Sequence, residues 1–168
     1  MQQVFNLLHR VVRDGQADRK GGGVYSSLGA AQDALAKLSR QPGFRDYPDG
    51  FSIHRCIVGL SYAPFGLDSD QNTLADDVAT PMEVIARNTT LYRLYNQSTI
   101  DDAEHDDDFI LIGFFHSQVA AEQIAEQLKG TPEFSRPNRE FGISTPVVDR
   151  IEWSEGFISV EEAMKQFR

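Results

Sequence analysis

The chain passes through strand-like and helix-like runs twice, in the same order. Residues 4–12 (VFNLLHRVV) and 91–99 (LYRLYNQST) are rich in aromatic and branched side chains, which favour strands. A polar stretch follows each run, and the chain then returns through GGVYSS in the first half or FILIGFFHS in the second. This order predicts a β-hairpin in each half.

A predicted helix follows each hairpin and begins after a serine, Ser27 or Ser117, whose side-chain oxygen can accept from the first free amides. Small and aliphatic residues then recur at helical spacing: Ala31, Ala34, Leu35, Leu38, Ala121, Ile124, Ala125 and Leu128. Pro42 and Pro132 end the helices, because proline lacks an amide hydrogen and restricts the residue before it. FSIHRCIVGL and FGISTPVVDRI predict one more strand in each half, and Pro146 indicates an edge strand or an interruption in the second.

The two halves are also similar in sequence when residues 23–58 are set against residues 113–148 without a gap. Ten of these 36 positions are identical: Gly23/Gly113, Ser27/Ser117, Ala30/Ala120, Ala31/Ala121, Leu38/Leu128, Pro42/Pro132, Phe44/Phe134, Phe51/Phe141, Ile53/Ile143 and Val58/Val148. Average residue usage gives about two or three identities by chance. The predicted fold class is therefore α+β, a pseudo-symmetric tandem repeat of two β-β-α-β units with antiparallel sheet and helices packed on one face.

The repeat divides the chain into three parts, which we expect to form one compact unit. Residues 1–66 are the first predicted repeat, residues 67–90 a linker, and residues 91–168 the second repeat. Within the linker, TPMEVIARN (80–88) predicts a short helix with proline in its first position. A capping-box pattern predicts a C-terminal helix over residues 159–167.

Composition and charge narrow the possible partners. The chain has 168 residues, 40% of them hydrophobic and 24% charged, as in a globular protein. Its 25 acidic and 16 basic residues give a net charge of −9 with no basic stripe, so we expect no nucleic-acid partner. Since no apolar run approaches the ~20 residues of a membrane helix and no secretory signal is visible, we expect no membrane partner and a cytoplasmic location.

Cys56 and His54 are the candidates for a catalytic pair. Two positions apart on a strand, they would share one face, and a thiolate beside an imidazole can be nucleophilic. The second half has Ser144 and Pro146 at the equivalent places, so the repeat does not support a doubled site. A buried structural cysteine is the favoured interpretation. We therefore expect no enzymatic activity and no cofactor, with a small enzyme using Cys56 and His54 as the less favoured alternative.

The densest charged feature is DDAEHDDD, residues 101–108. Its acidic members are Asp101, Asp102, Glu104, Asp106, Asp107 and Asp108. Their spacing does not match a calcium-binding EF-hand loop, and the run has no central glycine, so we expect no metal site. A solvated hairpin tip is the expected structure. Its functional interpretation is an acidic tip that enters the basic cleft of a toxin acting on a nucleic acid or nucleotide.

Three motifs together resemble an uncharacterised small bacterial domain. GVYSS and PGFRDYPDGF lie in the first half, at 23–27 and 42–51, and WSEGF lies in the second half, at 153–157. Proteins of that family are similar in size and lack an assigned catalytic centre. Their gene neighbourhood suggests immunity proteins that neutralise polymorphic toxins. The resemblance therefore implies an immunity-type function.

A second resemblance leads to a different function. LIGFFHSQVAAEQIAEQLKG (111–130) is similar to the strand-to-helix corner of sporulation-related repeat domains, which bind peptidoglycan. It implies a peptidoglycan- or ligand-binding module as the alternative. The absence of a visible export signal argues against that alternative.

These features together predict a non-enzymatic interaction protein, an immunity protein that binds and occludes a basic toxin domain. An interface of this kind typically buries ~1,600 Å². Besides the acidic run, the candidate contact residues are Asp46, Tyr47 and Asp49 in one loop, and Trp153. Tyr47 and Trp153 can instead be core or loop-packing residues, which is the preferred interpretation for Trp153.

Overall fold

The computed structural model describes residues 1–13, 15–63, 83–99 and 109–153. The helices and strands in this part are β1 (Gln2–Arg13), β2 (Gln16–Tyr25), α1 (Leu28–Leu38), β3 (Phe51–Ile57), β4 (Glu83–Val84), β5 (Tyr92–Ser98), β6 (Ile110–Phe115), α2 (Gln118–Lys129), β7 (Arg139–Ser144) and β8 (Arg150–Ile151), with a 3-10 helix at Pro48–Gly50. The described residues thus form an α+β fold with two sheets and two helices. The acidic run 101–108 and the predicted helix over 159–167 lie outside the described residues.

The strands form two sheets. In the first sheet the order is β3-β1-β2-β8, and in the second it is β6-β5-β7. These neighbours pair antiparallel, so β1 lies between β2 and β3 as β5 lies between β6 and β7. The register of each central pair shifts once, between Leu7 and Leu8 on β1 and between Leu94 and Tyr95 on β5. The two sheets therefore share the order of their central strands and the place of the irregularity.

Both helices begin at the serines that the sequence predicts. The hydroxyl oxygen of Ser27 accepts from the Ala30 amide at 3.1 Å, and that of Ser117 accepts from the Ala120 amide at 3.1 Å. The buried face of α1 packs with Leu7 of β1, and that of α2 packs with Leu94 of β5. Among the described residues no helix has the length and apolar character needed to cross a membrane.

A separate core joins the two sheets. It contains residues of β1, β2 and β3 together with residues of β6 and the segments around them: Val4, Val24, Cys56, Val58, Tyr62, Ile85, Leu91, Leu111, Phe114 and Val148. On β1, Val4 belongs to this core, while its neighbour Phe5 belongs to the core beneath α1. Because successive strand residues point to opposite faces, each sheet has a helix on one face and the other sheet on its second face.

Each sheet receives backbone from the half of the chain that builds the other. After β3, the Gly59 amide donates to the Phe114 carbonyl of the second sheet at 2.7 Å. After β7, the Asp149 amide donates to the Val24 carbonyl of the first sheet at 2.8 Å. The Asp149 carboxylate also accepts from the amide and hydroxyl of Ser26, each at 2.8 Å, just before α1. These contacts fasten the two halves together along their edges.

The helix predicted over residues 80–88 is wrong for its described part. Glu83–Val84 form β4, which pairs parallel with Gln2–Gln3 at the beginning of β1. Ile85 follows with 1% of its surface exposed, in the core between the sheets. Residues 85–88 are not helical. Pairing with β1 and burial of Ile85 outweigh the local helix signal, which is a weak preference.

His9 is a buried ionisable group on β1, with 1% of its surface exposed. Its ring lies against Phe44 and Phe51, with centroids 4.9 and 4.3 Å apart. Its Nε2 donates to the Tyr47 carbonyl at 2.7 Å. Burial lowers the pKa of His9 below 6.5 and outweighs the opposite effect of this hydrogen bond. The folded protein therefore favours the neutral imidazole.

We expect the protein to lose stability as pH falls below 6.5, the value for an unperturbed histidine. Below that pH the unfolded chain takes up a proton that folded His9 resists, and the loss ends at the lower pKa of the folded state. One such group changes the free energy of unfolding by at most about 1.4 kcal/mol per pH unit. Urea unfolding at pH 7.5 and 5.5 measures the loss.

The variant His9→Asn should lose less stability than the wild type between these two pH values, because asparagine does not titrate. Replacing the exposed His116 by Asn is the control and should keep the wild-type dependence. An equal loss in the wild type and in His9→Asn would contradict the assignment to His9.

Candidate functional site

Three predicted contact residues lie on one ordered loop between α1 and β3. Asp46 and Asp49 are exposed and Tyr47 is half-buried. With the neighbouring Val12, which is 55% exposed, they line a groove of about 330 Å³. We call Val12, Asp46, Tyr47 and Asp49 the loop surface. The sequence prediction thus identified three residues that the structure brings together, while Val12 was missed because it lies on β1.

Backbone hydrogen bonds and the buried Phe44 hold the loop in place, while the side chains of Asp46 and Asp49 are exposed. Phe44, 1% exposed, anchors its beginning in the core beneath α1. The Tyr47 amide donates to the Phe44 carbonyl at 3.1 Å, and the Tyr47 carbonyl accepts from His9. Asp46 forms an ion pair with its neighbour Arg45 at 3.5 Å, both largely exposed. The Tyr47 side chain can therefore be changed without removing the hydrogen bonds that place the loop.

Trp153 lies elsewhere. It lines a cleft between the two sheets, which we call the inter-sheet cleft. None of the described residues that line this cleft also lines the groove of the loop surface. Trp153 is 47% exposed, so it is not a core residue, while the interpretation of Trp153 as a loop-packing residue stays a prediction. The Lys20 ammonium lies over its ring, 4.2 Å from the ring centre. The structure therefore separates the predicted contact residues into two places, and the acidic run 101–108 lies outside the described residues.

His54 and Cys56 do not form a thiol–imidazole pair. The Cys56 thiol donates to the backbone carbonyl of His54 at 3.4 Å, while the His54 ring contacts the Ser52 hydroxyl at 2.9 Å. Cys56 has no exposed surface and belongs to the core between the sheets. Burial raises the pKa of the Cys56 thiol well above its usual range. A buried, protonated thiol is a poor nucleophile, so this geometry favours the structural interpretation.

The inter-sheet cleft has a volume of about 420 Å³ and is formed where the apolar core between the sheets ends. Asn6 and Leu8 of β1 line one side, and Arg93 and Tyr95 of β5 line the other. Tyr95 stacks on Phe109, with ring centres 5.1 Å apart. The cleft is thus built from strands of both halves, and one of its walls is aromatic.

A hydrogen-bonded network fixes Arg93 in the inter-sheet cleft. Its Nη1 donates to the Glu152 carboxylate at 2.8 Å, and its Nε donates to the Ser144 hydroxyl at 3.0 Å. Arg19 and Lys20 also line the cleft, so three of its described lining residues are cationic and one is a carboxylate. This local charge is opposite in sign to the net charge of −9 of the whole chain.

Asn6 is the polar residue of the inter-sheet cleft whose position needs an explanation. It is 3% exposed, and its Nδ2 has no hydrogen-bond partner among the residues that the structure describes. Asn6 and Arg93 were not predicted, because each strand-like run contains several polar residues and nothing in the sequence nearby distinguishes these two. The available signal was the alternation on β1, which places Asn6 on the same face as the core residue Val4.

Within the described ranges no three histidine, cysteine or acidic side chains lie close enough together to hold a metal ion. No family model, no curated protein and no solved structure matches the chain. The resemblances to an immunity-type domain and to sporulation-related repeats therefore stay predictions.

Proposed function

We propose that this chain is a non-enzymatic interaction protein, and that it acts as an immunity-type inhibitor that covers a basic domain of a toxin. The observation that carries the proposal is the loop surface, in which the half-buried Tyr47 and the exposed Val12 line one groove together with the exposed Asp46 and Asp49. Apolar and aromatic groups at the centre of a patch with charges at its rim are typical of protein interfaces.

The loop is already fixed in the free protein, and such pre-organisation favours tight binding. Phe44 and the His9–Tyr47 hydrogen bond already place the loop in the free protein. Less conformational freedom is then lost when a partner binds, so more of the contact energy becomes affinity. The tyrosine is the expected anchor, because truncation of interface tyrosines often has a large effect.

The charge of the chain supports a basic partner. A net charge of −9 and the run of six acidic residues within 101–108 attract a positively charged domain over about a Debye length, ~8 Å at physiological ionic strength. Such attraction mainly speeds encounter, while the buried contacts slow dissociation. The proposed division is that the acidic run steers the partner and the loop surface holds it.

We also propose that the two sheets are pseudo-symmetric copies of one β-β-α-β unit. The cross-sheet hydrogen bonds support this, since Gly59 to Phe114 and Asp149 to Val24 are related by an offset of 90 residues for both donor and acceptor. The caps at Ser27 and Ser117 have the same offset. The offset equals that of the ten sequence identities.

Co-purification from the native operon followed by mass spectrometry identifies the partner, and co-expression measures whether the chain suppresses its toxicity. For the resulting complex we expect Tyr47→Ala to weaken affinity about 30-fold, which corresponds to roughly 2 kcal/mol for an interface anchor. The change should appear mainly as faster dissociation. Surface plasmon resonance with the wild type and the variant measures both rates.

The matched comparison is Trp153→Ala, which removes the other aromatic residue among the predicted contact residues. We expect this variant to keep its affinity for the protein partner. Loss of affinity with Trp153→Ala and none with Tyr47→Ala would contradict the assignment to the loop surface. A chain that neutralises no toxic product of its own operon would overturn the immunity-type function.

A further inference from the structure

The inter-sheet cleft combines cationic, amide and aromatic side chains, and the proposed binding of a protein partner at the loop surface involves none of them. Its walls come from β1 and β2 of one sheet and from β5, β6 and β7 of the other. Its volume of about 420 Å³ is within the usual range of small-molecule sites, which are clefts of about 300–1,000 Å³. Three features of its lining indicate what kind of molecule fits.

The first feature is the unpaired donor of Asn6. A buried amide N–H without an acceptor is unfavourable, and native proteins pair most such groups. Asn6 lines the cleft and is 3% exposed, and its Nδ2 lacks a partner among the described residues. Nδ2 itself has almost no accessible surface, so an oxygen acceptor of a bound molecule would satisfy it once the Asn6 amide turns toward the cleft.

The second feature is charge. Arg19, Lys20 and Arg93 line the cleft together with a single carboxylate among its described lining residues, that of Glu152. Arg93 is oriented by its bonds to Glu152 and Ser144, so its guanidinium is fixed before any ligand arrives. A pre-oriented cation with an excess of positive charge favours an anion, and a carboxylate matches both arginine geometry and the need for an oxygen acceptor.

The third feature is aromatic surface. Trp153 lines the cleft with about half of its side chain exposed, and Tyr95 lines it while stacked on Phe109. Flat aromatic faces pack favourably against a planar ring in offset or edge-on geometry. A ligand that combines a planar ring with an anionic oxygen group would use all three features.

We propose that the inter-sheet cleft is a binding site for a small aromatic carboxylate. Its ring lies against Trp153 and Tyr95, its carboxylate faces the cations, and a turn of the Asn6 amide toward the cleft lets Nδ2 donate to that carboxylate. The site uses residues of both halves of the chain. It is separate from the loop surface, so binding of the small molecule and binding of a protein partner can be tested independently.

The test uses 2-naphthoate as the probe and 2-naphthylmethanol, which has the same rings and no charge, as the matched compound. Trp153 is the only tryptophan in the chain, so its single indole N–H resonance reports directly on the cleft. We expect 2-naphthoate to shift this resonance and to bind at least about tenfold more tightly than the alcohol, as loss of a charge-assisted hydrogen bond predicts. An unmoved indole resonance, or equal affinity for both compounds, would overturn the proposal.

Two variants test the named residues. Asn6→Leu removes the amide donor at similar volume, so affinity for 2-naphthoate should fall about tenfold while the urea midpoint stays level or rises. If Asn6 had only a structural role, Asn6→Leu would instead lower the urea midpoint and leave the affinity for 2-naphthoate unchanged.

Lys20→Gln should weaken binding of 2-naphthoate at least about threefold, whereas Lys37→Gln, an equal charge change on the exposed side of α1, should leave that binding unchanged. Equal affinities for Lys20→Gln and Lys37→Gln would overturn the role of the cations, whether or not Asn6→Leu folds.

Discussion

Gly23→Ala is expected to lower the free energy of unfolding by about 2 to 6 kcal/mol. The backbone of Gly23 has φ +127°, a conformation that residues with a Cβ rarely adopt and that costs them about 1 to 3 kcal/mol. A Cβ at this position would also lie 2.4 Å from the Arg150 carbonyl oxygen, and relieving such a clash costs about 1 to 3 kcal/mol more. Urea denaturation measures the loss.

Gly113→Ala should also destabilise the protein through a clash with a backbone carbonyl, but by less. A Cβ there would lie 2.5 Å from the Leu60 carbonyl oxygen, while no positive φ adds to the strain. We expect a loss of about 1 to 3 kcal/mol. Gly29→Ala at an exposed position of α1 is the control, since among the described residues no atom outside its chain neighbours and the backbone of its own helix lies within 4 Å of the added carbon, and alanine favours helix by up to about 1 kcal/mol. Losses below about 0.5 kcal/mol for Gly23→Ala would show that the strand after β7 does not approach β2 this closely.

The local elements were predictable because their signals lie within short stretches of sequence. Ser27 and Ser117 begin helices in both halves, since a capping hydrogen bond needs only residues three positions apart. Pro146 predicted an edge or an interruption, and β7 ends at Ser144 and pairs only with β5 among the described strands. The α+β class follows directly from such elements.

The contacts between the halves were not predictable from these signals. Arg150 pairs with Val24 on β2, and Asp149 fixes the corner at Ser26, yet no periodicity relates positions so far apart in the chain. The short β4 illustrates the same limit, since it lies in the segment between the halves while its partner Gln2–Gln3 lies at the beginning of the first half. The sequence therefore predicts the individual helices and strands better than the way they pack together.

The candidate sites follow the same rule. Asp46, Tyr47 and Asp49 were predicted together because they lie in one loop of the sequence, and the structure keeps them on one surface. The inter-sheet cleft was missed because Asn6 and Arg93 meet only when the two sheets pack. The local sign of it was Asn6, a polar residue on the same face of β1 as the core residue Val4.

Phe114→Ala is expected to lower the free energy of unfolding by about 3 to 5 kcal/mol and to weaken both sheets together. Phe114 of β6 has no exposed surface and packs in the core with Val4 and Val24 of the first sheet. Truncating a buried phenylalanine removes its apolar contacts and leaves a cavity, which costs about this much. Because this core contains residues of both sheets, the loss should extend to the first sheet.

The single tryptophan makes the coupling measurable. Trp153 contacts Lys20 of β2 and lines the inter-sheet cleft, so its fluorescence reports on the first sheet where it meets the second, while far-ultraviolet circular dichroism reports on all strands and helices. In Phe114→Ala both signals should move to the same lower urea midpoint, because one cooperative core joins the sheets. Val119→Ala, 61% exposed on α2, is the control and should change stability by no more than about 0.5 kcal/mol. A fluorescence midpoint that stays at the wild-type value while the dichroism midpoint falls would mean that the sheets unfold independently, and that the core between them does not couple the two halves.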